Sequence, residues 1–258
     1  MIITTAGRTT SELVSKAKKL ANTYGLVYKA RNGVSVDTLK TMHQDDVVVV
    51  GKERLEISTL NDGSTLFFHP NLAMVRAKRM FRGEEEPLVQ TAKLEEGMSL
   101  IDCTLGLASD SIIASIAVGT SGSVTGIEGN YLLYLLAKEG LASFTSGKEI
   151  VDQALRKIKV VHDDHYSFLK NKRTNSVDIV YFDPMFHTSV DKSNGINSIR
   201  GQALTTDIHD ALIQEAKRVA RERIVIKDHF QSERFAQLGF IQQKRKTSLF
   251  HYGTIELH

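Results

Sequence analysis

The chain has 258 residues, 41% hydrophobic and 24% charged, with a formal net charge of +3. These values exclude extensive disorder, and the length suits one large domain or a medium domain with a small one. A single cysteine, Cys103, excludes an internal disulfide. With no apolar leader and no run approaching the roughly 20 apolar residues of a membrane span, a reducing cytoplasm is the expected setting.

Residues 1–70 read as a small α/β domain. A short strand opens it, and Thr10 and Ser11 cap a helix through Ala21 whose apolar face is Leu13, Val14, Ala17 and Leu20. A strand at 26–29, a turn at Asn32-Gly33, a short helix at 36–42 and a valine strand at 46–50 follow. Strands at 54–59 and 65–68 pair across Asn61-Asp-Gly63. Residues 71–97 read as a helical linker, broken at Pro87 and carrying the basic run Arg76-Ala-Lys-Arg-Met-Phe-Arg82.

Over 98–258 strands and helices alternate. Strands are predicted at 99–102, 123–127, 158–161, 177–182 and 223–227, with helices at 109–118, 131–143, 148–156 and 207–220. Strands at 240–243 and 248–256, joined by a basic turn at Lys244-Arg-Lys246, must be antiparallel. The pattern predicts an α/β fold: a mostly parallel seven-stranded sheet, covered on both faces, with an antiparallel C-terminal hairpin. Each basic run is most simply a solvated face.

The chemistry gathers at strand ends. In Asp102-Cys-Thr-Leu-Gly-Leu-Ala-Ser-Asp110 a buried strand enters a glycine turn and then a helix. Asp102 closes the strand, Thr104 brings a hydroxyl, Gly106 allows close backbone approach, and Asp110 sits in the helix's first turn. By itself this is a plain strand–turn–helix. With Glu128 ending the next strand, where a carboxylate binds ribose hydroxyls, it suggests a site for S-adenosylmethionine (SAM), whose ammonium calls for acids. A dinucleotide site would need more glycines where Leu107, Ala108 and Ser109 stand, and the acid would repel a pyrophosphate.

After the third strand, His162-Asp-Asp-His165 offers Asp164, in preference to Asp163, to an adenine amine. Its histidines lack a third ligand at recognisable spacing, so no metal is expected. The most specific motif is Asp183-Pro-Met-Phe186. Asp183 and the carbonyl of Pro184 suit the two N–H groups of a base amine, and Phe186 offers a stacking face. An acid-proline turn with a core phenylalanine is the bland alternative.

These segments resemble the class I SAM-dependent methyltransferases, which have a Rossmann-like sheet. They are most similar to the bacterial ribosomal RNA small-subunit methyltransferase J family, which makes N2-methylguanosine. That family's turn reads Asp-Ala-Thr-Ala-Gly-Leu-Gly-Arg-Asp, and its substrate motif is Asp-Pro-Met-Phe, as here. Residues 72–79 and 224–227 are similar to its Ala-Met-Ala-His-Arg-Arg and Val-Val-Val-Lys segments, so the likeness spans roughly 54–255. The resemblance implies SAM contacts at Ser109-Asp110, Glu128-Gly129, Asp164-His165 and Asp183. Departures are Ala108 for the second glycine, Ser109 for an arginine, and His187 for a proline.

The sequence therefore points to a SAM-dependent N-methyltransferase with a base amine of RNA as substrate, guanine N2 of small-subunit ribosomal RNA first. Arg76, Lys78, Arg79, Arg82, His187 and Lys227 are its candidate RNA contacts. Alternatives are another RNA base, a small molecule or a protein side chain, or a silent RNA-binding protein of the same fold.

Overall fold

The computed structural model describes residues 1–184 and 208–257. Its first elements are β1 (Ile2–Thr5), α1 (Ser11–Tyr24), β2 (Val27–Tyr28), α2 (Val36–His43) and β3 (Val47–Val50). All four valines of β3 are buried, as a β-branched run is at the centre of a covered sheet. β1 lies parallel between β2 and β3. Next to β3, β4 (Leu55–Ser58) and β5 (Thr65–Phe67) add antiparallel, for the order β2-β1-β3-β4-β5. The Thr10 hydroxyl caps α1 by accepting the Leu13 N–H, and Gly25 closes it at φ 64°.

α3 (Asn71–Met80) and α4 (Pro87–Ala92) form the segment read as a helical linker. Ala73 and Ala77, one turn apart, let α3 approach closely, and with Leu88 and Ala92 they share one core with Leu100, Ile112 and Ile113. These helices are part of the main domain's packing.

The main sheet is built from β6 (Ser99–Asp102), α5 (Ser109–Ala117), β7 (Ser123–Glu128), α6 (Tyr131–Ser143), α7 (Glu149–Lys157), β8 (Lys159–His162), α8 (His165–Lys170) and β9 (Val177–Phe182). After the undescribed stretch come α9 (Asp210–Val219), β10 (Ala220–His229), α10 (Arg234–Gln237), β11 (Ile241–Gln243) and β12 (Phe250–Glu256). The order is β11-β12-β10-β9-β6-β7-β8, and only β12 runs against its neighbours. This is the expected sheet. The sequence reading missed α8 and α10, which have six and four residues, too few for a helical period to show. The chain goes outward from β6 to β7 and β8, then returns to lay β9 on the other side of β6. The carboxyl ends of β6 and β9 thus flank a topological switch point, where α/β sheets bind ligands.

α6 is buried over most of its surface, with Lys138 left exposed, and its leucines serve two cores. Leu132, Leu135 and Leu136 pack in one core with Ile3, Val48 and Ile57 of the small sheet, while Ala137 and Leu141 join the core of the large one. The hydroxyl of Tyr131 also donates to the Tyr24 carbonyl at 2.7 Å, and that of Tyr24 to Glu139 at 2.5 Å. At Gly140 the helix meets Phe68 so closely that an added Cβ would lie 2.0 Å from the ring's Cγ. Gly140→Ala is expected to destabilise the protein by about 1–3 kcal/mol through overpacking, read as a lower urea midpoint with an unchanged m-value.

Candidate active site

The switch point is stitched together by Thr104. Its hydroxyl accepts the Asp183 N–H at 2.6 Å and donates to Asp102 Oδ1 at 3.3 Å, so the ends of β6 and β9 are tied. Asp102 is 1% exposed, and both its oxygens are engaged, Oδ1 by Thr104 and Oδ2 by the Ser111 hydroxyl at 2.7 Å. Burial lifts its carboxyl to about 6, against the hydrogen bonds from Ser111 and Thr104. Asp102 therefore braces the turn from within. Gly106 takes φ 52° and Ala108 φ 64°. The left-handed conformation costs a residue with a Cβ roughly 1–2 kcal/mol, which is why a glycine suits position 108 and why alanine there stores strain.

Glu128 joins the turn to β7. Its Oε2 accepts the Gly106 N–H at 2.9 Å and its Oε1 the Asn130 N–H at 2.8 Å. Burial raises its carboxyl above the ordinary range even so. Each oxygen keeps a lone pair, so the group can still receive two vicinal hydroxyls. Beside it, His162 Nε2 pairs with the Gly129 carbonyl at 3.1 Å, and its ring stacks on Tyr134 at 5.1 Å. Asp164 caps α8 by accepting the Ser167 N–H, Asp163 Oδ1 accepts the Asp164 N–H, and both acids head into solvent-exposed backbone. His165 is buried, with Nδ1 3.3 Å from the Cys103 carbonyl.

A network of buried charge lies beneath Asp183. Asp110, 6% exposed, receives Arg76 Nη1 at 2.5 Å, Lys227 Nζ at 3.1 Å and the Tyr181 hydroxyl at 3.1 Å. Arg76 also holds Glu86 at 2.5 Å, and Lys227 reaches Asp183 Oδ2 at 2.6 Å. Burial opposes ionisation of Asp110, but Lys227 and Arg76 together outweigh it and hold the carboxyl well below its usual range. Asp183 shifts the other way. Burial pushes it up to about 7, Lys227 opposing and Asp110 adding to the rise. The Lys227 ammonium, for all its burial, is raised by the two acids and stays charged.

The structure thus brings Asp102, Thr104, Gly106, Asp110, Glu128 and Asp183 to one edge of the sheet. Arg76 and Lys227, expected at phosphates, face inward instead, because the acids of the switch point need cations. Lys78, Arg79 and Arg82 are exposed. Phe186 and His187 lie outside the described residues. Among the described residues no metal-binding cluster of His, Cys, Asp and Glu occurs, and no helix is long and apolar enough to cross a membrane. The sequence reading missed Tyr181, whose hydroxyl serves Asp110, and the inward role of Arg76. A signal for Arg76 existed, since it shares a helical face with Ala73, Ala77 and Met80.

Among the described residues, two buried polar atoms at this edge, Ser109 Oγ and Asp183 Oδ1, have no hydrogen-bond partner. Atoms left in that state call for a polar ligand, and a donor set of carboxylates fits a cationic one. A seven-stranded sheet in this order, with a glycine turn on its first strand and a buried acid ending its second, defines a class I methyltransferase. A family model described as "Putative SAM-dependent methyltransferase" matches residues 31–248, and the chain belongs to that family. Its cofactor is accordingly S-adenosyl-L-methionine.

The chain is 48% identical to "Uncharacterized protein YpiP" of Bacillus subtilis (strain 168) over 255 residues, 99% of each chain. It is 24% identical to ribosomal RNA small subunit methyltransferase J of Pasteurella multocida over 226 residues, 84% of this chain and 85% of that one. The crystal structure of the SAM-dependent methyltransferase NGO1261 from Neisseria gonorrhoeae superposes with a TM-score of 0.62 at 15% identity. The match covers 99% of this chain and 96% of that one, a likeness of fold.

If Glu128 holds the ribose, Glu128→Ala is expected to weaken SAM binding by about 10- to 100-fold, the worth of a hydrogen bond to a charged group. Titration calorimetry measures it; an unchanged affinity would place the ribose elsewhere.

Proposed function

We propose that this methyltransferase modifies an exocyclic amine of RNA, guanine N2 in small-subunit ribosomal RNA. The observation that carries the reading is the division of labour at Asp183. Lys227 grips Oδ2, while Oδ1 is buried without a partner among the described residues at the end of β9, opposite the glycine turn. An amine conjugated to a base is a poor nucleophile, because its lone pair is delocalised into the ring. Acceptors for both N–H groups, Asp183 Oδ1 and the Pro184 carbonyl, favour pyramidalisation and free that pair. The fixed φ of Pro184 keeps its carbonyl in place.

Bound SAM supplies an electrophilic methyl group on a sulfonium. The chain does the rest by holding. Glu128 receives the ribose hydroxyls, Asp164 the adenine amine, and Ser109 a further polar group. Asp102 and Thr104 keep the turn and Asp183 in register. The proton lost by the methylated amine passes to Asp183 Oδ1, which its raised pKa suits to accept it. RNA as the substrate class is supported by the resemblance to ribosomal RNA small subunit methyltransferase J and by exposed Lys78, Arg79 and Arg82, which would meet phosphates.

The test is to incubate the protein with labelled SAM and ribosomal RNA from a strain lacking it, then digest to nucleosides. Label in N2-methylguanosine is expected; label in another nucleoside, a peptide or a metabolite overturns the guanine assignment. Asp183→Ala should lower turnover by at least about 100-fold while calorimetry shows SAM affinity largely intact. Equal loss of both would make Asp183 chiefly a cofactor ligand. Activity needs Asp183 ionised, so it should fall as pH drops through about 7. Lys227→Met removes the group that opposes the rise, so the acid limb should move to higher pH, and Lys227→Arg should return it. A lower plateau with an unmoved limb would reduce Lys227 to a packing role.

A further inference from the structure

β10 runs parallel to β9 with Ile226 opposite Phe182, so Lys227 stands level with Asp183 and the strand then continues past the site. His229 is two residues further along the same face, roughly 7 Å beyond Lys227 at the usual rise of a strand. There the strand ends in a small aromatic group. The ring of His229 lies 4.7 Å from that of Phe230 and 6.3 Å from that of Phe250, its partner on β12. Phe230 is 39% exposed, and neighbouring Leu249 46%. The turn between β11 and β12 sits at this same edge and carries Lys244, Arg245 and Lys246, all exposed. No acid occurs anywhere from Phe240 to Ile255.

The turn is held, too. Gln242 Nε2 donates to the Phe230 carbonyl at 2.8 Å and to His251 Nδ1 at 3.0 Å. His251 is 6% exposed, and its Nε2 lies 3.0 Å from the Arg245 carbonyl and 3.1 Å from the Arg245 backbone nitrogen. These contacts pin the turn, and the Phe230 N–H donates to the Leu249 carbonyl at 2.9 Å. The exposed Phe230 ring and three cations with no acid paired to them among the described residues are thereby fixed to the end of the strand that carries Lys227. Phosphates match the cations and bases match the rings, the pairing by which single strands are bound.

Resting on the reading of the protein as an RNA methyltransferase, we propose that this hairpin end docks the single-stranded RNA flanking the target base. Lys244, Arg245 and Lys246 meet its phosphates, and Phe230, backed by His229, stacks a neighbouring base. The patch delivers the strand along β10 toward Asp183.

The full-length protein is titrated with a labelled single-stranded fragment of small-subunit ribosomal RNA by fluorescence anisotropy over a range of salt. With Lys244, Arg245 and Lys246 all changed to Ala, affinity should fall at least tenfold and the log–log salt slope should lessen by about 2, at roughly 0.7 per phosphate on a single strand. Phe230→Ala should weaken binding by about 5- to 100-fold, the worth of one stacked base, with the slope unchanged. SAM affinity should stay at the wild-type value in both variants. Unaltered RNA affinity and slope in the variants, beside a wild type that methylates ribosomal RNA, would overturn the docking surface and leave the reading standing. Loss of binding to the small-subunit particle alone would assign the patch to a protein contact and overturn the RNA assignment. A parallel loss of SAM affinity would make the effect global and overturn it as well. A wild type that neither binds nor methylates RNA would sink the reading and the surface together.

Discussion

The structure depends on one carboxylate, Asp110, held between Arg76 and Lys227 in a nearly dry interior. Charges buried this deeply are tolerable when paired, and removing one partner leaves an expensive orphan. The pairing fixes where α3, α5, β9 and β10 must end relative to one another, since each supplies a member or an immediate neighbour. It also explains why two acids sit close together at the switch point. Arg76 and Lys227 face Glu86, Asp110 and Asp183, so with every group ionised one negative charge is in excess. A cofactor whose sulfonium and ammonium outnumber its carboxylate offsets that excess. Apart from the cofactor, a proton on Asp183 does the same, and its carboxyl is raised accordingly.

Much of this was legible in the sequence, because much of it is periodic. The strands at 99–102 and 177–182 and the helix at 131–143 have the bounds that apolar runs and caps predict. The terminal hairpin followed from two strands too close in sequence for a crossover. Acids at strand ends marked the switch point, since a carboxylate after a buried strand has few structural reasons to be there.

What escaped was set by partners distant in sequence. Arg76 differs from Lys78 and Arg79 locally only in sharing a helical face with Ala73, Ala77 and Met80; the partners that hold it inward are Glu86, ten residues on, and Asp110, thirty-four residues on. Lys227 likewise looked like a phosphate ligand until β9 and α5 surrounded it. Asp102 read as a cofactor acid, yet Ser111 and Thr104 occupy it. The segment before 98 read as a linker because its alanines look innocuous, and small residues are what let a helix sit tightly on a neighbour. For Lys227 and Asp102 the residue type was right for the site, and the direction of the side chain was set by elements far away in sequence.

The leucines of α6 carry a practical consequence. Leu132 and Leu136 are turned toward strands that lie more than sixty residues earlier in the chain. A truncated catalytic half would wear them in water as a sticky seam, prone to self-association. The small sheet is therefore a permanent jacket for the enzyme, and the polypeptide is expected to melt as a single cooperative unit.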